Sequence, residues 1–152
     1  MKTTAGTGLT DLTRQDAVIQ MFQAFGSSTA SMTVSLTLPE GRWWRIRSVV
    51  AFVDVATPGV NAMVLLQAIK GAQNLFAISQ ITDLPGINFA GQVTWGINLP
   101  YAIGTVDTFA TCPLPDTLVP GGTVINLIPA GTGAQAFIQF VNMIAEGTVE
   151  AA

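Results

Sequence analysis

Apolar and polar residues alternate most cleanly at 31–38, where Met32, Val34, Leu36 and Leu38 interleave with Ser31, Thr33, Ser35 and Thr37. A period of two puts one set on a buried face and the other in solvent, which predicts a half-buried strand. Pro39-Glu40-Gly41 closes it with a turn. The run 42–55 is the longest candidate strand. Trp44, Ile46, Val50 and Phe52 share one of its faces, interrupted by Ser48, and Arg45, Arg47, Val49, Ala51 and Val53 share the other. The change from arginine to valine on that second face predicts a strand that leaves solvent and enters a covered region. After a break at Thr57-Pro58-Gly59, residues 61–69 are apolar on both parities, as in a central strand or one buried at a subunit contact. Lys70-Gly71-Ala72 then leads into 73–80 as a hairpin.

Four further strands are predicted between Gly/Pro breaks, at 87–96, 105–111, 123–128 and 134–145. The last is well patterned, with Ala136, Ile138, Phe140, Asn142 and Ile144 on one side and Phe137, Gln139, Val141 and Met143 on the other. Residues 17–25 fit a short helix nearly as well as a strand, and Gly26-Ser27-Ser28 ends them. The first fifteen residues, MKTTAGTGLTDLTRQ, read as a polar, flexible arm. Residues 147–152 read as a short tail, which leaves one domain over 16–146. Strong β formers and the lack of a sustained helical period predict an all-β protein. About eight to ten strands in about 130 residues suit a jelly-roll-like β-sandwich best. An immunoglobulin-type sandwich is the alternative, but a lone cysteine cannot supply that fold's inter-sheet bridge.

Composition changes this picture in one respect. Charged residues make up 10% of the 152 positions, whereas soluble surfaces usually run about 25–35% charged. Mean hydropathy is +0.51. Either a membrane or other protein chains therefore cover part of the surface. The charge-free stretches 84–106 and 117–145 are broken by prolines and glycines, so neither offers the roughly 20 unbroken apolar residues of a spanning helix. Protein partners are the remaining expectation, with no membrane. A net charge of -3 disfavours a nucleic-acid surface. Histidine is absent, which removes nucleophile–histidine triads and most zinc, copper and iron sites. Cys112 has no second cysteine to pair with. Its neighbours include no base that would favour a thiolate.

The candidate site is the run 40–47, where Arg42, Arg45 and Arg47 interleave with Trp43 and Trp44. Tryptophan and arginine are common interface anchors. The same residues would also serve a strand entering the sandwich, with Trp44 in the core and Arg45 and Arg47 facing outward or across a subunit boundary. Two ligand readings compete: single-stranded nucleic acid stacked on the indoles, and a sugar platform built from Trp43, Trp95 or Tyr101. Paired carboxylates are the one catalytic option that the absence of histidine leaves comfortable, and Asp54, Asp83, Asp107 and Asp116 could in principle meet as the acid and base of a glycosidase. Each lies near a strand end or turn, where aspartate ordinarily caps a loop. The glycine pairs at 6–8, 121–122 and 131–133 lack the lysine and helix of a phosphate loop. No enzyme, cofactor or metal is expected.

The run GRWWRIRSVVAFV at 41–53, the strand at 61–69, the Lys70-Gly71 turn, the final strand at 134–145 and the short acidic tail resemble the small β-sandwich decoration, or cement, proteins of tailed-bacteriophage capsids. The resemblance implies a trimer docked outside the major capsid protein, where added contacts oppose expansion of the shell. It implies no catalytic residue. The expected function is thus a non-enzymatic virion protein, made in the host cytoplasm and carried on the capsid exterior. Its expected partners are copies of itself, in a homotrimer, and the major capsid protein. A carbohydrate-binding module of a fibre or receptor-binding protein is the alternative.

Overall fold

The computed structural model describes residues 17–55, 63–79, 89–103, 109–130 and 136–149. The expected arm at 1–15, the glycine pairs at 6–8 and 131–133, and Asp83 and Asp107 lie outside them. Every element among the described residues is a strand: β1 Val18–Phe25, β2 Val34–Thr37, β3 Arg42–Val55, β4 Met63–Lys70, β5 Gln73–Ser79, β6 Phe89–Ile97, β7 Ala102–Ile103, β8 Phe109–Leu114, β9 Leu118–Pro120, β10 Val124–Ala130 and β11 Ala136–Val149. The ambiguous segment at 17–25 is the strand β1. It pairs with β11 along its whole length, and eight backbone pairings outweigh the weak local preference for helix.

The strands form two sheets. The larger runs β1-β11-β3-β6-β8-β7, with β9 also paired to β3, and the smaller runs β2-β10-β4-β5. With β7–β9 set aside as an insertion, the eight remaining strands, counted along the chain, stand in the orders 1-8-3-6 and 2-7-4-5. All their pairings are antiparallel. That is jelly-roll wiring, two Greek keys folded across two sheets. It differs from the immunoglobulin arrangement. The insertion adds β8 parallel to β6, which widens the larger sheet. β8 spans Phe109–Leu114 and ends three residues past the strand expected at 105–111, whose first four residues lie outside the described residues. β7 and β9, of two and three residues, are too short to leave a periodic signal.

The core lies between the sheets. Val34, Leu36 and Leu38 are buried as their alternation requires, while Met32 is exposed. Trp44 and Trp95 are the largest fully buried side chains. Each satisfies its indole N–H, Trp44 by donating to Pro39 O at 2.9 Å and Trp95 by donating to Ile78 O at 3.1 Å. Phe22 meets Trp44 edge-on at 5.6 Å, an arrangement that adds about 0.5–1.5 kcal/mol beyond area burial. Gly147 lies beneath the same indole, where a Cβ would come within 2.8 Å of the ring.

Strict period two fails in the two longest strands. The β3–β11 register jumps twice, leaving Arg47 as the extra residue on β3 and Gln139 as the extra residue on β11. A bulge of one residue switches the side chains that follow to the opposite face. Along β3 the buried set therefore passes from Trp44 and Ile46 to Val49, Ala51, Val53 and Val55. Along β11 it passes from Ala136 and Ile138 to Val141, Met143 and Ala145. The predicted faces of both strands are thus corrected: Val50, Phe52, Phe140, Asn142 and Ile144 point away from the core. β11 also runs to Val149, three residues into the segment expected as a tail.

Candidate functional site

The arginine–tryptophan run opens β3, where β11 and β9 flank it. Its members separate by parity. Trp44 is 1% exposed, so it anchors the core and is not available to a partner. Trp43 is half-buried on the outer side, and its carbonyl accepts from Thr148 Oγ1 at 3.4 Å. Arg45 Nε stands 3.1 Å from Asp116 Oδ1, a charge contact rather than an aligned hydrogen bond. Arg47, released from the ladder by its bulge, donates from Nε to Glu146 Oε2 at 3.0 Å and from Nη2 to the same oxygen. Nearby, Lys70 Nζ donates to Glu40 Oε1 at 3.0 Å and to Gly121 O at 2.6 Å. Gly121 N in turn donates to Arg42 O at 2.8 Å. One end of the sandwich thus holds seven of the eight charged residues among those described, with Arg45 matched to Asp116, Arg47 to Glu146 and Lys70 to Glu40.

This geometry weakens the competing chemistries. Arg45 and Arg47 already face carboxylates, leaving little positive potential for phosphates. Trp95 is fully buried and cannot be a sugar platform; of the three candidates, Tyr101 is exposed and Trp43 half-buried. Asp116 sits against Arg45, while Asp54 lies nine residues further along β3 and accepts from Gln139 Nε2. The two carboxylates stand roughly 30 Å apart, far beyond the roughly 5–9.5 Å that a glycosidase pair spans. Cys112 is buried, and burial pushes its thiol up to about 12 from 9.0. At neutral pH it is a protonated, apolar side chain.

The surface that sequence reasoning missed is the outer face of the larger sheet. The register aligns side chains into rows across the strands. One row holds Phe25, Phe140, Phe52, Gln92 and Phe109. The next holds Gln23, Asn142, Val50, Thr94 and Thr111, and the third Met21, Ile144, Ser48, Gly96 and Pro113. None of the three contains a charged side chain. They lie between Asp54 at one limit and Glu146 with Arg45 at the other. In the first row the ring centroids of Phe25 and Phe140 are 5.1 Å apart and those of Phe140 and Phe52 are 5.7 Å apart. The exposed rim is large: Phe25 is 77% exposed, Ile19 76%, Met21 56% and Phe52 40%. A shallow hollow at this end is lined by Phe52, Val53, Asp54, Gly91 and Gln139. Among the described residues the far corner is covered, where Leu99 stands over Gly96 and Pro100 O accepts from Thr111 Oγ1 at 2.8 Å.

Nothing in the one-dimensional sequence joins Phe25, Phe52 and Phe140. They fall in distant segments, and it is the bulge at Gln139 that turns Phe140 outward, where strict alternation with Ala136 and Ile138 would place it inward.

No protein-family model matches the sequence, and no curated protein matches it. Among solved structures, the chain is similar to one from the Gx strain of infectious bursal disease virus, at 10% identity and a TM-score of 0.37, over 90% of this chain and 37% of that one. It is also similar to the VP2 subviral particle of infectious bursal disease virus, at 10% identity and a TM-score of 0.32, over 89% of this chain and 37% of that one. The chain thus spans little more than a third of the length of either viral chain. At these scores the likeness carries no argument, and the fold stands on the strand order itself.

Proposed function

We propose that the chain is a non-enzymatic structural protein of a virion: a jelly-roll decoration subunit that binds the outside of the major capsid shell as a homotrimer and stabilises it. The observation that carries this reading is the block of three charge-free rows on the outer face of the larger sheet, crowned by three adjoining phenylalanines. Burying an unpaired ion costs several kcal/mol, whereas apolar area returns about 25 cal/mol per Å². A face without ions is therefore cheap to take out of water, and a protein with 10% charged residues has much such surface. Among the described residues the few charges are mostly closed into ion pairs at one end, away from that face. A shell held by many such contacts resists expansion without any chemical step.

Labelling intact virions with antibodies raised against the purified chain tests this reading. Labelled capsid exteriors are expected. Particles that bind no antibody when intact, or that lack the chain altogether, would overturn it.

A further inference from the structure

We infer that the phenylalanine row marks the contact between copies of this chain, with the outer face of the larger sheet turned toward the assembly's symmetry axis. The inference deepens the reading of a self-assembling decoration subunit and rests on it.

Three properties of the face select a second copy over another partner. First, residues near a symmetry axis meet their own counterparts, so any charge there faces its like. The three rows carry none, and the nearest charges are already engaged, Asp54 by Gln139 and Glu146 by Arg47. Second, the polar members of the face are Gln23, Asn142, Thr94, Thr111, Ser48 and Gln92. Amides and hydroxyls both donate and accept, so an identical face can satisfy those that stand open; Asn142 Oδ1 is buried and Thr111 Oγ1 already donates to Pro100 O. A face that had evolved toward a charged partner would offer ions or one-way donors instead. Third, the size is of the right order. Strands β1, β11, β3, β6 and β8 at about 4.8 Å spacing and the roughly 17 Å that the three rows span give roughly 400 Å² in projection. Side-chain relief increases that figure, so two such faces come close to the roughly 1,000 Å² that a specific interface must clear.

The outer face of the smaller sheet is a useful contrast. Met63, Leu65, Gln67 and Ile69 of β4 are half-buried within it, and no aromatic row stands out of that surface among the described residues. It serves as the control face.

The test compares light-scattering masses of the full-length chain, the double variant Phe25→Glu/Phe52→Glu, and the control Gln67→Glu on the smaller sheet. Circular dichroism and melting verify that each variant is folded. The unaltered chain and the control are expected to share one oligomeric mass. The double variant is expected to fall to 15.9 kDa with its β spectrum and melting retained, because neither phenylalanine belongs to the core. A double variant that keeps the oligomeric mass would overturn the assigned face while leaving the decoration reading intact. An unaltered chain that is itself monomeric would overturn both.

Discussion

The two faces of the larger sheet are made from alternate residues of the same strands, yet they are finished to different degrees. Inward, β3, β6 and β11 supply Trp44, Trp95, Ile138 and Met143, all buried, and both indole N–H groups have a carbonyl to donate to. Outward, the same strands supply Phe52, Gln92 and Phe140, in a row that ends on a phenylalanine 77% exposed. The inner face is complete within one chain. The outer face carries no ion in its three central rows and keeps a rim of exposed apolar side chains. On the proposed reading, stability and association fall on opposite sides of one sheet, and each is expected to be perturbed without the other.

Trp44→Ala is the largest expected perturbation. Emptying that site costs about 3–5 kcal/mol, read as a lower urea midpoint. Where the variant still folds, its oligomeric mass is unchanged, because the lost contacts are all internal. A change in mass at unchanged stability would mean that the two faces are not separable.

Alkali probes the inner face more gently. The thiol of Cys112 lies at about 12 in the folded chain against 9.0 for an ordinary cysteine. A raised pKa favours the protonated form in the fold, so this contribution is complete below pH 9.0. It is lost progressively as the pH rises through the window toward 12. Stability is expected to decline across that window, and Cys112→Ala is expected to flatten part of the decline. Identical slopes for the two proteins would show that this thiol is not held away from water.

The smallest effect belongs to the paired end. Arg47→Ala removes the contacts with Glu146, but both side chains are partly open to solvent. Such pairs contribute about 0.2–1 kcal/mol, and high salt should erase most of the difference in melting temperature. A large loss would mark this ion pair as part of the fold's foundation.

Much of the architecture was legible in the sequence, because alternation reports burial wherever a strand pairs without interruption. Val34, Leu36 and Leu38 follow the expected parity, and the Lys70-Gly71-Ala72 hairpin forms where its turn residues stand, with Gly71 at a φ of 60°. Parity was misread only downstream of Arg47 and Gln139. A bulge is a property of two paired strands, and neither strand alone announces it. The candidate site was legible in part. The arginine–tryptophan run does gather charge, and Trp44 does anchor the core, but Arg45 and Arg47 find carboxylates from β11 and the insertion that spacing could not reveal. The phenylalanine row needed the register of β1, β11 and β3 before it existed as a surface at all.

Sedimentation equilibrium of the full-length chain at micromolar concentration tests most directly whether the outer face is left unfinished by one copy. The expected mass is close to three times 15.9 kDa and independent of salt, since ions play no part in the proposed contact. A single species of 15.9 kDa that stays monomeric and soluble as concentration rises would contradict it.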